Sequence, residues 1–129
     1  MITIVDYEMG NPKSIMNMLS RLGIKSQLSR NLDDISQARK LILPGVGAFD
    51  AAMRNLKKFN LINSLNKKAL EEKIPILGIC LGMQVLTHSS EEGSEKGLGW
   101  IDAQTKKFDS SLGIKVPHMG WNYVLPKTN

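Results

Sequence analysis

The residue most able to do covalent chemistry is the chain's single cysteine, set in the run Gly78-Ile-Cys-Leu-Gly82 directly after an apolar stretch. A G-x-C-x-G layout suits a nucleophile elbow, a tight strand-to-helix turn that strains its central residue and exposes that side chain. Small residues two positions to either side, Gly78 and Gly82, let the backbone turn without clashes. Cys80 would then sit at a helix start, where partial positive charge favours the thiolate. The N–H of Leu81 would become available to a developing oxyanion. The opposing reading is a buried structural cysteine, the usual fate of a lone Cys. Spacing alone leaves both open.

Two further segments belong beside Cys80 if the strands run parallel. These are Asp6-Tyr-Glu-Met-Gly10 and Pro44-Gly-Val-Gly47, each following an apolar run. In an open parallel sheet, ligands sit beyond the carboxyl ends of the strands, and all three segments fall at that edge. Pro44–Gly47 reads either as a plain turn or as a flexible loop whose peptide groups face the nucleophile. No Walker pattern or G-x-G-x-x-G occurs. His88 and His118 are the only histidines, far apart in sequence. With one Cys and no ligand-like spacing, neither a metal site nor a cofactor is expected. His88 reads as a surface or capping residue.

The elements that must position these segments alternate. Ile2–Val5 is a β-branched strand run. Asn11-Pro12 opens a helix as cap and first residue, with Ile15, Met18, Leu19 and Leu22 on one face and Gly23 to end it. A strand over Ile24–Leu28 and a short helix over Asp33–Arg39 follow. Lys40–Leu43 is a strand stopped by Pro44-Gly45. Ala48–Leu70 reads as two helices meeting near Asn60, Ile74–Ile79 as a strand and Leu81–Leu86 as a helix. After Gly93 the pattern changes, and strands are expected over Trp100–Phe108 and Ile114–Val116. The fold class is therefore α/β, a doubly wound, mostly parallel sheet with helices on both faces.

Composition narrows the function classes. The chain has 129 residues, 42% apolar and 22% charged, enough for one domain. No apolar run is long enough to span a bilayer, and the N-terminus lacks signal-peptide features. The reading is cytoplasmic, with no membrane partner. The net charge is +5, but Lys57-Lys58, Lys67-Lys68 and Lys106-Lys107 are isolated pairs rather than a basic stripe. A nucleic-acid partner is not expected.

Gly78-Ile-Cys-Leu-Gly-Met-Gln84 resembles the G-x-C-x-G-x-Q signature of class I glutamine amidotransferases. The finer resemblance is to the glutamine amidotransferase subunit of imidazole glycerol phosphate synthase, from histidine biosynthesis. It rests on Asp6-Tyr-x-x-Gly-Asn11, Leu43-Pro-Gly-Val-Gly-Ala-Phe49, Ser90-Glu-Glu-Gly93 with Gly97-Leu-Gly99, and Val116-Pro-His-Met-Gly-Trp-Asn122. It implies a flavodoxin-like topology and Cys80 as the nucleophile that forms a glutamyl thioester. The oxyanion would be held by the N–H groups of Leu81 and of Val46, the latter after reorientation of Pro44–Gly47, where Gly45 and Gly47 lower the conformational cost. Gly47, Gln84 and Glu92 match glutamine-binding positions. Asn11, His118, Met119 and Trp121 match the face that meets a (β/α)8-barrel cyclase subunit, giving a heterodimer in which the cyclase receives the ammonia.

Departures from the family are also legible. Family members run to roughly 200 residues and carry a catalytic His and Glu in a Phe-His-Pro-Glu-like segment. None occurs up to Asn129, so residues 1–129 read as the nucleophile-bearing part of the domain, with little glutaminase turnover alone. An exposed sheet edge is expected in consequence. Glu8 stands where the family usually has Gly, and Pro12-Lys13 is also atypical. Paralogues that supply ammonia for sugar amidation in surface-polysaccharide pathways fit the same motifs. A non-catalytic docking module is the reading from a different class.

Overall fold

Side-chain alternation in three short strands sets the layers. In the computed structural model, which describes residues 1–127, these are β1 (Ile2–Val5), β3 (Leu41–Leu43) and β4 (Ile76–Gly78), with β2 (Ser26–Ser29) on the outside. Thr128 and Asn129, the end of the expected domain, lie outside the described residues. All pairings are parallel and the order is β2-β1-β3-β4. The chain steps from β1 outward to β2 and then returns past β1 to β3, so a crevice opens beyond the strand ends where the order reverses.

Helices connect every strand. α1 (Pro12–Arg21) begins at Asn11, whose side chain accepts the Ser14 N–H at 3.3 Å. It ends in a Schellman motif, with Gly23 at φ +71°. There the Ile24 N–H donates to the Leu19 carbonyl at 2.8 Å and the Gly23 N–H to that of Ser20 at 2.9 Å. α2 (Leu32–Gln37) starts one residue earlier than Asp33–Arg39, because Asn31 caps it by accepting the Asp33 N–H at 2.8 Å. α3 (Phe49–Lys58) and α4 (Leu61–Asn66) meet at Asn60, which adopts φ +55°. α4 runs on into a π-helical turn, Lys67–Glu71.

Both faces of the sheet carry helices, but unequally. Val5, Leu41 and Leu43 point into the main core with Phe49, Leu56 and Leu61. On the opposite face α1 places Leu19 against Ile4 and Ile42. Among the described residues β4 pairs only with β3, and Leu77 is 55% exposed beside Ile79 and Met83, also exposed. The edge strand therefore presents apolar side chains outward.

Two expected strands and a further helix boundary are also corrected. Trp100–Phe108 and Ile114–Val116 form no strand; the first contributes only an isolated bridge, Ser90 with Thr105. The chain entering Trp100 bonds to the end of the preceding helix, not to a sheet. The carbonyls of Val85, Leu86 and Thr87 accept the N–H groups of Leu98, Trp100 and Gly99 at 2.8–3.1 Å. That engagement turns the chain, so α5 covers Leu81–Gln84 rather than Leu81–Leu86. The segment around Ile114–Val116 is exposed and has no ladder partner among the described residues.

Candidate active site around Cys80

Because β1, β3 and β4 are neighbours in one parallel sheet, the segments following them lie side by side. They touch through backbone. A Cβ built on Gly45 would lie 2.7 Å from the Gly82 nitrogen and 2.8 Å from the Leu81 Cβ, and one on Gly10 3.2 Å from the Gly45 Cα. Only glycine lets these turns approach so closely.

The elbow itself is strained. Cys80 adopts φ +54° and ψ −115°, a conformation that costs a non-glycine residue about 1–3 kcal/mol. The strain aims its side chain outward, and Cys80 is exposed rather than a buried structural cysteine. Helix and strand are packed hard behind it. Cβ atoms on Gly78 and Gly82 would lie 2.6 Å from the Met83 Cα and 1.8 Å from the Leu43 carbonyl oxygen. The N–H groups of Gly82, Met83 and Gln84 turn back to the carbonyls of Ile79 and Cys80 at 2.9–3.1 Å. That of Leu81, the first helical residue, has no acceptor among the described residues. With α5 only one turn long, these first N–H groups, not an extended dipole, supply the local positive field.

Tyr7 is the site residue that sequence reasoning missed. It is fully buried, and its hydroxyl donates to the Pro44 carbonyl. It thereby holds the loop after β3 against the loop after β1. Burial, and then the nearby charge on Cys80, raise its phenol far above the ordinary range. Asn55 of α3 donates to the Tyr7 carbonyl at 3.0 Å. The only available signal was a large aromatic in an otherwise small, polar loop. Flanking it, Arg30 pairs with Asp6 at 2.6 Å and with Glu8 at 3.0 Å, and Lys58 stands 3.6 Å from Glu8. The Arg30 hydrogen bond lowers the Glu8 carboxyl. These pairs hold Glu8 at φ +62°, a left-handed conformation in which glycine is ordinarily preferred.

The remaining expected residues divide between this edge and a distant segment. Val46 and Gly47 are exposed in the loop after β3, with Gly47 at φ +123° and packed on Met9. Gln84 ends α5, half-buried. Glu92 is exposed in the turn 90–95, its N–H donating to Ser90 Oγ at 3.1 Å. Asn11 is engaged in capping α1. His118 packs edge-on against Phe108 with ring centroids 5.9 Å apart, while Met119 and Trp121 are exposed on an irregular stretch. His88 pairs with Asp102 at 3.1 Å. Neither histidine hydrogen-bonds to Cys80 among the described residues. Nor is any group of three or more His, Cys, Asp or Glu among them placed to hold a metal ion.

A family model described as glutamine amidotransferase class-I matches residues 3–128. The chain is 58% identical over 124 residues to imidazole glycerol phosphate synthase subunit HisH 2 of Methanococcus maripaludis, covering 96% of this chain and 61% of that protein. It is 50% identical over 127 residues to subunit HisH 2 of Pseudomonas aeruginosa, covering 98% and 63%. To subunit HisH 1 of Campylobacter jejuni it is 44% identical over 123 residues, covering 95% and 61%. The chain thus spans about three fifths of the length of these curated relatives. A solved glutamine amidotransferase superposes with a TM-score of 0.71 at 21% identity, over 81% of this chain and 55% of that one, which establishes a shared fold.

Proposed function

The chain belongs to the class I glutamine amidotransferases, and we propose that it is the nucleophile-bearing part of the glutaminase subunit of imidazole glycerol phosphate synthase, working in the cytoplasm. The observation that carries this reading is an exposed Cys80 held at positive φ where three strand-end loops meet.

The Cys80 thiolate attacks the side-chain amide carbon of glutamine, forming a C–S bond and pushing the carbonyl electrons onto oxygen. The N–H groups of Leu81 and of a reoriented Val46 take up that charge. The tetrahedral intermediate collapses, the C–N bond breaks, and the leaving nitrogen takes a proton to depart as ammonia. Water then attacks the thioester, giving glutamate and restoring the thiol. Gly47, Gln84 and Glu92 bind the glutamine, and the Glu92 carboxylate suits its α-ammonium group. Neither His88, paired with Asp102, nor His118, packed on Phe108, hydrogen-bonds to Cys80 among the described residues, and neither is assigned as the proton carrier. Activation of the thiol calls for a general base oriented by a carboxylate, a His and a Glu in the family resemblance. Asn11, His118, Met119 and Trp121 form the face for a (β/α)8-barrel cyclase in a heterodimer, which uses the ammonia to make imidazole glycerol phosphate.

A second reading has a specific observation behind it. Glu8, where the resemblance expects glycine, is fixed by Arg30 and Lys58 at the rim of the site. This alters a surface near the expected partner face and fits a different partner, as in the paralogues that supply ammonia for sugar amidation.

The test uses the whole protein with its cyclase. Glutamate release that disappears in Cys80→Ala, together with labelling of Cys80 by a glutamine-like α-amino chloroketone, supports the assignment. Absence of both leaves a docking module and refutes it. Growth of a deletion strain without histidine would move the acceptor to the sugar pathway.

A further inference from the structure

Glu92 lies in a turn with no regular structure of its own, yet its backbone is held on both sides. Upstream, Ser90 is buried and Glu91 donates its N–H to the Thr105 carbonyl at 3.0 Å. Downstream, the backbone N–H groups converge on one carboxylate, that of Asp50 in the first turn of α3. Asp50 Oδ1 accepts the N–H groups of Ser94 and Glu95, each at 2.9 Å, and Oδ2 accepts the Ser94 N–H and hydroxyl, each at 3.1 Å. A Cβ at Gly93 would fall 2.2 Å from Asp50 Oδ1, so glycine there is what allows the carboxylate to reach the turn. Farther along α3, Lys57 pairs with Glu95.

The position of Asp50 in the chain gives this contact its meaning. It stands three residues after Gly47, on the helix that the loop after β3 runs straight into. One carboxylate therefore ties the loop bearing Val46 and Gly47 to the turn bearing Glu92, two segments more than forty residues apart. The Glu95 and Ser94 N–H groups hold that carboxyl below the ordinary carboxylate range, keeping it an acceptor.

We infer that Asp50 is a positioning residue for glutamine binding: it sets the separation between Gly47 and Glu92, and so the fit of the amino-acid end of the substrate, without touching the reacting atoms. The inference rests on the function proposed above. Two backbone N–H groups that lose a charged acceptor on an ordered turn are worth about tenfold or more in substrate affinity.

The experiment compares Asp50→Asn, Asp50→Ala and the control Lys57→Ala in the whole protein with its cyclase. It reads kcat and KM for glutamine, and the rate at which iodoacetamide, which has no amino-acid end, alkylates Cys80. Asp50→Ala should raise KM about tenfold and Asp50→Asn, whose Oδ1 still accepts, by less, with kcat and alkylation rate near wild type, and Lys57→Ala should leave all three unchanged. Unchanged KM in folded Asp50→Ala overturns the inference, as does a parallel loss of alkylation. Failure of both Asp50 variants to fold overturns it too, since a turn clamp should not carry the fold. Failure of the underlying reading would look different, because the wild-type protein would itself release no glutamate.

Discussion

Gly82→Ala isolates the steric demand of the elbow. The added methyl would sit 1.8 Å from the Leu43 carbonyl oxygen, whereas ordinary contact begins near 3.4 Å, so α5 and β3 must separate by about 1.6 Å. Neither side yields cheaply. The Leu43 oxygen accepts the Ile79 N–H at 3.0 Å, and breaking that bond costs about 1 kcal/mol. On the other side, Leu81 and Val85 are buried in the main core. Displacing them is overpacking at a rigid boundary, about 2–3 kcal/mol. A total near 3–4 kcal/mol is a large part of the ~5–15 kcal/mol that holds a domain together. For a chain of this size it lowers Tm by about 10–15 °C. The control is Gly23→Ala, which has φ +71° but nothing within 4 Å of the added carbon; its cost is conformational, about 1–2 kcal/mol. Thermal melting followed by circular dichroism reads both. A Gly82→Ala protein melting within about 2 °C of wild type, or melting above Gly23→Ala, would refute the argument that a backbone-to-backbone contact dictates glycine behind the nucleophile.

Cys80→Gly should raise Tm by about 3–5 °C while abolishing thiol labelling, because glycine relieves the positive-φ strain; a lower Tm would contradict it. Tyr7→Phe leaves the buried Pro44 carbonyl without its donor, costing about 1–2 kcal/mol in denaturant titration. Tyr7 also gives an alkaline signature. Its phenol is raised in the fold, so its contribution is fully present below the ordinary tyrosine pKa of about 10 and is lost as pH rises above that value. Tyr7→Phe should therefore flatten the decline in stability above about pH 10, and an unchanged slope would count against the buried phenol. Trp121, 105% exposed, should weaken cyclase binding at least tenfold when changed to Ala with no change in Tm; equal affinity by calorimetry would remove it from the proposed interface.

Much of this architecture is local, and local signals are written in the sequence. The β-branched run Ile2–Val5, the Asn11-Pro12 start and Gly23 stop of α1, the break at Asn60 and the glycines around Cys80 each act within a few residues. So the α/β class and the order of elements as far as α5 were readable from residue types and spacing. One error has a tertiary cause. Trp100–Phe108 reads as a strand, but the N–H groups of Trp100 and Ile101 bond the Leu86 carbonyl just past α5, a partner that no local pattern reveals. Only tertiary structure decided which segments touch. The bond from Tyr7 to Pro44 spans 37 residues and that from Asp50 to Ser94 spans 44, and neither partner is named by the local sequence. A parallel sheet makes such pairings unavoidable, since it joins strand ends only through crossovers, and contacts across them depend on packing rather than on sequence proximity.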